Sequence, residues 1–283
     1  MIFLTEKAPL QAFISEKKLQ GKSIGFIPTM GALHKGHLSL IATAQKKNDF
    51  VVVSIFVNPT QFDKEEDLIN YPQTLNADRK LLENISCDVL FYPSVEEIYQ
   101  NTITSKSFYF DGLEHKMEGK FREGHFNGVG TVVKTLFEIV NPDVAYFGEK
   151  DFQQLQIIKK MVQKHNLKIQ IEGCPIFREK DGLAMSSRNV RLEKQQRKAA
   201  SFIYKTLLKA SKKFSEHKAS EILIWVKEEF KKQPLLTLEY FTIADEETLE
   251  SIQTKENNKN YRAFIAVFAG NIRLIDNIKL KHS

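Results

Sequence analysis

Residues 24–40 read IGFIPTMGALHKGHLSL, and this stretch decides how the chain folds. Ile24–Ile27 is a short apolar strand. Pro28 has no N–H to give to a central ladder, so the strand is expected to stop there. Thr29, Met30 and Gly31 turn the chain, and from about Gly36 the spacing of Leu38, Leu40 and Ile41 is helical. A strand entering a helix through a glycine turn leaves unpaired backbone N–H groups around a concavity, with the positive end of the helix dipole behind them. Such a turn receives an anion, usually a phosphate. It also carries His34 and His37. Their three-residue spacing sets both imidazoles on one side of the first helical turn, facing whatever the backbone binds.

Working outward, Pro9–Leu19 is an amphipathic helix with Leu10, Phe13, Ile14 and Leu19 as its apolar positions and Gly21 as its stop. Phe50–Val57 is almost continuously apolar, as in a parallel strand covered by helices on both faces. Strand, helix and strand at this spacing form a βαβ unit. Just beyond lies Asn58-Pro59-Thr60-Gln61-Phe62, at the carboxyl end of a strand, where open α/β sheets bind ligands. Gln61 has donors and an acceptor for a carboxylate and a hydroxyl together, the other reading being a turn residue that faces water. Asp63–Thr74 is polar and irregular. Then come a helix over Leu75–Asn84, a strand over Val89–Tyr92 and a helix opened by a capping Ser94. A strand over Phe108–Phe110 precedes a glycine-rich segment with Arg122 and His125. Those two either line a substrate cavity or are ordinary loop residues.

A helix over Val129–Val140 and a strand over Asp143–Phe147 lead to Gly148-Glu149-Lys150-Asp151-Phe152-Gln153-Gln154. This is a second strand, glycine turn and helix, with Lys150 as a compact cation for a phosphate oxygen. Glu149 and Asp151 flank it, so a surface ion-pair cluster is the other reading. The helix runs on to His165, and a strand covers Leu167–Ile171. In the polar loop 178–189, Ser186, Ser187 and Arg188 place two hydroxyls beside a guanidinium, a set suited to a phosphate. Helices over Gln195–Phe214 and Ala219–Lys232 precede strands at Leu236–Ile243, Arg262–Ala269 and Ile272–Asn277, the last two joined by a hairpin turn. The expected fold is α/β. A Rossmann-like parallel sheet flanked by helices covers 1–174, and a smaller α+β C-terminal domain covers 175–283.

The composition, 42% hydrophobic and 27% charged, is that of a soluble globular chain. No apolar run is long enough to span a bilayer, and MIFLTEKAPL lacks the basic region of a secretory signal. Two cysteines, Cys87 and Cys174, make neither a disulfide framework nor a metal-site spacing, which fits a reducing cytoplasm. A net charge of +6 suits anionic substrates. Much of that excess lies between Lys194 and Lys232 and is interleaved with glutamates. That is a solvated helical face rather than a nucleic-acid groove, so neither nucleic acid nor membrane is expected as a partner. Walker A and GxGxxG patterns are absent, which removes P-loop and dinucleotide readings.

His34-x-Gly36-His37 after a first strand resembles the HxGH motif of the nucleotidyltransferase superfamily. The longer string from Pro28 to His37 resembles the pantothenate synthetase (pantoate–β-alanine ligase) family. Other segments match the same family: Asn58–Phe62 its NPxQF, Gly148–Gln154 its GEKDxxQ, and Met185-Ser186-Ser187-Arg188 its version of the KMSKS loop. Arg273–Asn277 also fits. The likeness runs nearly the full length and is least specific over 205–260. It implies ATP-dependent condensation of (R)-pantoate with β-alanine through a pantoyl adenylate, releasing AMP and pyrophosphate, in a cytoplasmic homodimer.

By this resemblance ATP meets Met30, Gly31, Ala32, Leu33, His34, Lys35, Gly36 and His37, then Gly148, Glu149, Lys150 and Asp151. Phe177, Met185, Ser186, Ser187 and Arg188 complete the ATP set. Lys150 is expected on phosphate, Asp151 on ribose, and Gln61 and Gln154 on pantoate. His34, His37, Lys150, Ser186, Ser187 and Arg188 form the catalytic group, with His37 either donating a proton to the leaving group or hydrogen-bonding through a neutral N–H. Mg2+ accompanies the triphosphate, held by phosphates and water rather than by a protein cage. The family places an acidic residue near that magnesium at Asp78, which the residues alone read as a surface aspartate on a helix. Two rivals remain: an adenylyltransferase that keeps AMP on its product, and a nucleic-acid-binding module.

Overall fold

The computed structural model describes residues 1–62, 65–100 and 102–280. The chain divides into two units: Met1–Glu149 with Gln153–Pro175, and Lys150–Phe152 with the chain from Ile176 onward. Three residues that follow the fifth strand therefore group with the second unit.

The first unit runs β1 (Ile2–Leu4), α1 (Lys7–Leu19), β2 (Ile24–Thr29), α2 (Lys35–Gln45), β3 (Phe50–Ile55), α3 (Glu65–Ile69) and α4 (Leu75–Asn84). It continues with β4 (Val89–Phe91), α5 (Val95–Tyr99), α6 (Met117–Phe121), α7 (His125–Val140), β5 (Val144–Gly148), α8 (Phe152–Lys164) and β6 (Gln170–Cys174). The six strands pair in parallel in the order β1-β4-β3-β2-β5-β6. Chain order runs one way from β2 to β4, then crosses to the other side of β2 at β5. The switch point of the sheet is therefore at β2 and β5, whose carboxyl ends open the crevice where such sheets bind ligands.

Alternation along β2 builds both faces. Phe26 meets Phe137 of α7 edge-on at 6.2 Å, while Ile27 joins Ile41, Val51, Val53, Leu82 and Leu90 on the opposite face. Both faces are covered, which is why β3 is apolar throughout.

Four local expectations change. β2 continues through Pro28. The Thr29 carbonyl accepts from the Phe56 N–H at 3.0 Å, so Thr29 faces β3 and the Pro28 nitrogen faces β5. There the ladder covers only Gly25–Val144 and Phe26–Ala145, and no bond is lost. Within the segment expected to be irregular, Glu65–Ile69 is α3, while Asp63 and Lys64 lie outside the described residues. Phe108–Phe110 is not a strand. The N–H groups of Phe108 and Phe110 go to the side chains of Asn127 (3.0 Å) and Glu114 (3.1 Å). β6 begins at Gln170 rather than Leu167, because Leu167 closes α8: its N–H returns to the Val162 carbonyl at 3.0 Å and Asn166 is left-handed at φ 50°.

The second unit contains α9 (Lys194–Lys213), α10 (Ala219–Lys231), β7 (Thr237–Asp245), β8 (Tyr261–Ala269) and β9 (Ile272–Leu280). The strands form an antiparallel sheet in the order β7-β8-β9. Ala263, Ile265 and Val267 of β8 bury against Ile203, Leu207 and Phe214 and against Ile222, Val226 and Phe230. Gly270 at φ 58° and Asn271 make the tight β8–β9 turn. Among the described residues no helix is long and apolar enough to cross a membrane.

Cys87 and Cys174 are both free and buried, and burial pushes their thiols up to about 12 and about 11. Only the thiolate is a nucleophile. Native protein at pH 8 should therefore leave Ellman's reagent unreacted, and both thiols should titrate in denaturant. Fast release of one equivalent from native protein would contradict the buried placement.

Candidate active site

The turn from β2 to α2 is held by side chains. Thr29 Oγ1 donates to the Ser54 carbonyl at 2.8 Å and accepts from the Gly31 N–H at 3.2 Å. Asp78 reaches over from α4, and its carboxylate accepts from the N–H groups of Ala32 (3.0 Å) and Leu33 (2.8 Å) and from Thr74 Oγ1 (3.1 Å). At 1% exposure Asp78 is a buried anchor, not a surface aspartate. A carboxylate can be buried there because each oxygen meets backbone donors. The turn needs that hold, since Gly31 and Ala32 sit at φ 83° and 48°.

His34 is the N-cap of α2. Its Nδ1 accepts from the Gly36 N–H at 3.1 Å, and His37 Nδ1 accepts from the His34 N–H at 3.3 Å, a reciprocal capping box made of two imidazoles. The rings stack with centroids 4.0 Å apart and planes 25° off parallel. With Nδ1 accepting, each neutral ring carries its proton on Nε2.

One physical expectation is overturned here. The N–H groups of Gly31, Ala32, Leu33, His34 and Gly36 are already taken by side chains of the same turn. The turn is therefore not an open ring of backbone donors, because side chains return to these N–H groups.

Gln61 lies in a 3-10 turn, Pro59–Gln61, capped by Asn58. Asn58 is buried, and its Nδ2 donates to Gln61 Oε1 (3.2 Å) and the Gly128 carbonyl (3.1 Å). Its Oδ1 accepts from the Tyr99 hydroxyl, and burial pushes that hydroxyl up. Gln61 Nε2 donates to Met30 Sδ at 2.8 Å, which joins this turn to the histidine turn. Arg122 and His125 resolve into a holding role: both reach the Gln61 carbonyl, at 3.4 Å from Arg122 Nη2 and 2.8 Å from His125 Nδ1. α7 approaches so closely that a Cβ on Gly128 would sit 2.3 Å from the Thr60 carbonyl oxygen. Gln154 is half-buried on α8. Its neighbour Gln153 is structural, donating to the carbonyls of Leu113 and Lys116 and accepting from the Glu118 N–H, each at 2.9 Å.

β5 ends at Gly148, and Glu149–Asp151 form a 3-10 turn. Lys150 Nζ is 3.6 Å from Asp151 Oδ1, so the flanking ion pair exists, but loosely. Within the second unit Lys150 lines a small recess with Ala184, Ser186, Arg188, Asn189 and Asp276. Ser186 caps the 3-10 turn Ser187–Arg191, its Oγ accepting from the Arg188 N–H at 3.3 Å. Asn189 ties the loop to Glu179 Oε1 (3.0 Å) and the Ala184 carbonyl (3.1 Å). Arg178 forms a two-point ion pair with Asp276 at 2.6 and 3.0 Å and stacks on Tyr204 at 3.7 Å. Burial pushes the Asp276 carboxyl up, and Arg178 opposes that shift.

The second unit thus brings Lys150, Ser186 and Arg188 together, and in the first His34 bonds to His37 while Gln61 bonds to Met30 on the same turn. The N–H of Met185 bonds to the Phe177 carbonyl at 3.0 Å, and the Phe177 ring is 39% exposed. Sequence reasoning did not find Asn58, Tyr99, Asp276 or the anchoring by Asp78. The Asn58-Pro59 pair, a good turn opener, was the one local signal available.

The class follows from comparison with known proteins. A family model described as pantoate-beta-alanine ligase matches residues 2–279, which makes this an enzyme of the ligase class. The pantothenate synthetase of Christiangramia forsetii is 56% identical over 278 residues, covering 98% of each chain. That of Flavobacterium psychrophilum is 53% identical over 282 residues, covering 99% of this chain and 100% of its own. A crystal structure of pantothenate synthetase from Thermus thermophilus superposes with a TM-score of 0.91 at 39% identity, covering 99% of each chain. The pantoate-beta-alanine ligase of Francisella tularensis, solved in complex with beta-gamma ATP and beta-alanine, gives 0.82 at 36% identity, covering 99% of this chain and 97% of its own. The chain belongs to the pantoate–β-alanine ligase family.

Replacing Asp78 tests the anchor. Asp78→Ala leaves two donors of the turn unpaired and should destabilise the fold by about 2–5 kcal/mol, while Asp78→Asn keeps one accepting oxygen and should lose less. Urea unfolding measures both, and an Asp78→Ala protein as stable as wild type would contradict the assignment.

Proposed function

We propose that this chain condenses (R)-pantoate with β-alanine at the expense of ATP, by way of a pantoyl adenylate, releasing AMP and pyrophosphate. The observation that carries the reading is the reciprocally capped His34–His37 pair at the switch point of the sheet. Family membership supports it, as does the ATP and β-alanine complex of the Francisella relative.

In the first step a pantoate carboxylate oxygen attacks the α-phosphorus of ATP. An oxygen–phosphorus bond forms, the bond to the bridging oxygen breaks, and pyrophosphate leaves. In the second, the β-alanine amine attacks the acyl carbon and AMP departs with the oxygen that came from pantoate. The substrate carboxylate is itself the nucleophile, so the protein holds reactants in line and stabilises the charge on the leaving group.

His34 and His37 act there as neutral hydrogen-bond donors. A helix N-terminus disfavours imidazolium, and a proton on Nδ1 would break the capping box. Lys150, Ser186, Ser187 and Arg188 meet the phosphates, Asp151 the ribose, and Gln61 and Gln154 the pantoate. Magnesium enters as the ATP complex. Its ligands are mainly phosphates and water rather than a protein cage. The enzyme works as a cytoplasmic homodimer.

If His37 stabilises the leaving group, His37→Ala should lower turnover by roughly 10²–10³-fold, the usual loss for one preorganised donor. Its fold should survive, since a lost cap is worth about 1 kcal/mol. A folded variant with normal turnover would remove His37 from the chemistry.

Isotopes test the order of bonds. Pantoate labelled with ¹⁸O in its carboxylate should give AMP carrying one label and unlabelled pyrophosphate. Without β-alanine, labelled pyrophosphate should still exchange into ATP when pantoate is present. Label in inorganic phosphate with ADP as coproduct would mean γ-phosphoryl transfer instead. AMP retained on the product would favour the adenylyltransferase reading.

A further inference from the structure

The second unit buries an arginine and an asparagine that the proposed chemistry does not use. Arg262, on β8, is 4% exposed and Asn277, on β9, is 1% exposed. Arg262 Nη1 donates to Asn277 Oδ1 at 2.6 Å, and Arg262 Nε donates to Glu246 Oε1 at 2.8 Å. Burying such a pair away from water is unfavourable unless its donors are directed at something, and apolar side chains of the same volume would serve the sheet as well or better.

Both residues are directed at the segment Lys150–Phe152. Asn277 Nδ2 donates to the Lys150 carbonyl at 2.9 Å. The Arg262 guanidinium lies over the Phe152 ring at 4.0 Å, and that ring also packs on Phe264 at 5.9 Å. Asn277 is fixed in turn, its N–H donating to Asp276 Oδ1 at 2.7 Å and its carbonyl accepting from Arg178 Nη2 at 3.2 Å. The three-residue segment is therefore gripped at a carbonyl on one end and a ring on the other. Lys150, at the first of these holds, lines the recess with Ser186 and Arg188.

We propose that Asn277 and Arg262 are positioning residues for Lys150: by holding the Lys150 carbonyl and the Phe152 ring they fix where the ammonium meets a phosphate. This rests on the reading of Lys150 as a phosphate contact. A displacement of about 1 Å at such a group can lower the rate by as much as 10²-fold, so a hold on the backbone at Lys150 itself is chemically significant.

The test is a double-mutant cycle on the full-length enzyme. Asn277→Asp keeps the oxygen that accepts from Arg262 and turns the donor facing the Lys150 carbonyl into a second carboxylate oxygen. It should lower kcat about 10–100-fold with little change in KM for β-alanine. In a Lys150→Ala background the same change should have no further effect, because a residue acting only through Lys150 is silent once Lys150 is gone. Phe152→Leu, which keeps an apolar side chain and removes the stacked ring, gives a second arm should Asn277→Asp fail to fold. It should lose activity severalfold in the wild-type background and none in Lys150→Ala. Penalties that multiply in the double variants, or folded single variants with normal kcat, would overturn the proposal. Normal turnover in Lys150→Ala would instead remove the phosphate role of Lys150 and the proposal with it.

Discussion

Two imidazoles that cap one another set the character of this site. Each gives its Nδ1 to a backbone N–H at the start of α2, so each has one ring orientation and one neutral tautomer. The arrangement is self-limiting. Protonating either Nδ1 would set a donor against a donor beside the positive end of a helix. The reciprocal cap therefore holds only while both Nδ1 atoms stay unprotonated. The rest of the first unit keeps that geometry in place. β2 ends at the switch point, Thr29 and Asp78 close the turn from two sides, and α4 supplies the carboxylate. A buried carboxylate anchors the turn and two stacked rings finish it.

The turn at Gln61 follows a different rule, close approach. Asn58 bonds at once to Gln61, to the Gly128 carbonyl and to the Tyr99 hydroxyl, so α5, α7 and the loop meet at one buried amide. Gly128 permits this contact, because any side chain there would overlap the Thr60 carbonyl. His125 and Arg122 then hold the Gln61 backbone, leaving its side-chain amide turned toward Met30. The glutamine is orientated from behind by four residues, none of which needs to touch a substrate.

Local signals carried most of the architecture. Apolar runs, glycine turns and capping residues act within a few positions, and α4 spans Leu75–Asn84 as its period requires. What was illegible is tertiary. A carboxylate in the first turn of an exposed-looking helix reads as surface until β2 delivers two N–H groups to it. Phe108–Phe110 has the alternation of a strand, yet Asn127 and Glu114 take the bonds a ladder would have used. The strand at Leu167 yielded to a helix cap because a left-handed Asn166 reverses the chain first. The β2–α2 turn reads as an open ring of backbone donors, and side chains close it instead. Counting free N–H groups requires knowing which side chains return to them, and periodicity does not contain that.

The same separation of pattern from hold explains the loop before α9. Ser186, Ser187 and Arg188 are visible as a phosphate-type set, and Ser186 caps the turn that follows it, but they do not by themselves fix the wider path of the loop. Arg178 does so, through two contacts to Asp276, one to the Gly182 carbonyl and a stack on Tyr204. Asp276 has only 2% of its side chain exposed, and burial opposes its ionisation even beside a guanidinium. An ion pair so placed is close to neutral in net stability, because desolvation offsets most of the attraction. Its consequence is directional: a planar fork on a carboxylate admits one orientation. Arg197 repeats the device at the loop's edge, bridging Glu179 and Asp181 at 2.6 Å each. Stability alone would be met by apolar contacts at these positions. Ionic contacts at the start of the loop, with the Asn189 bonds to Glu179 and the Ala184 carbonyl farther along, instead fix its path to where Ser186 and Arg188 line the recess with Lys150.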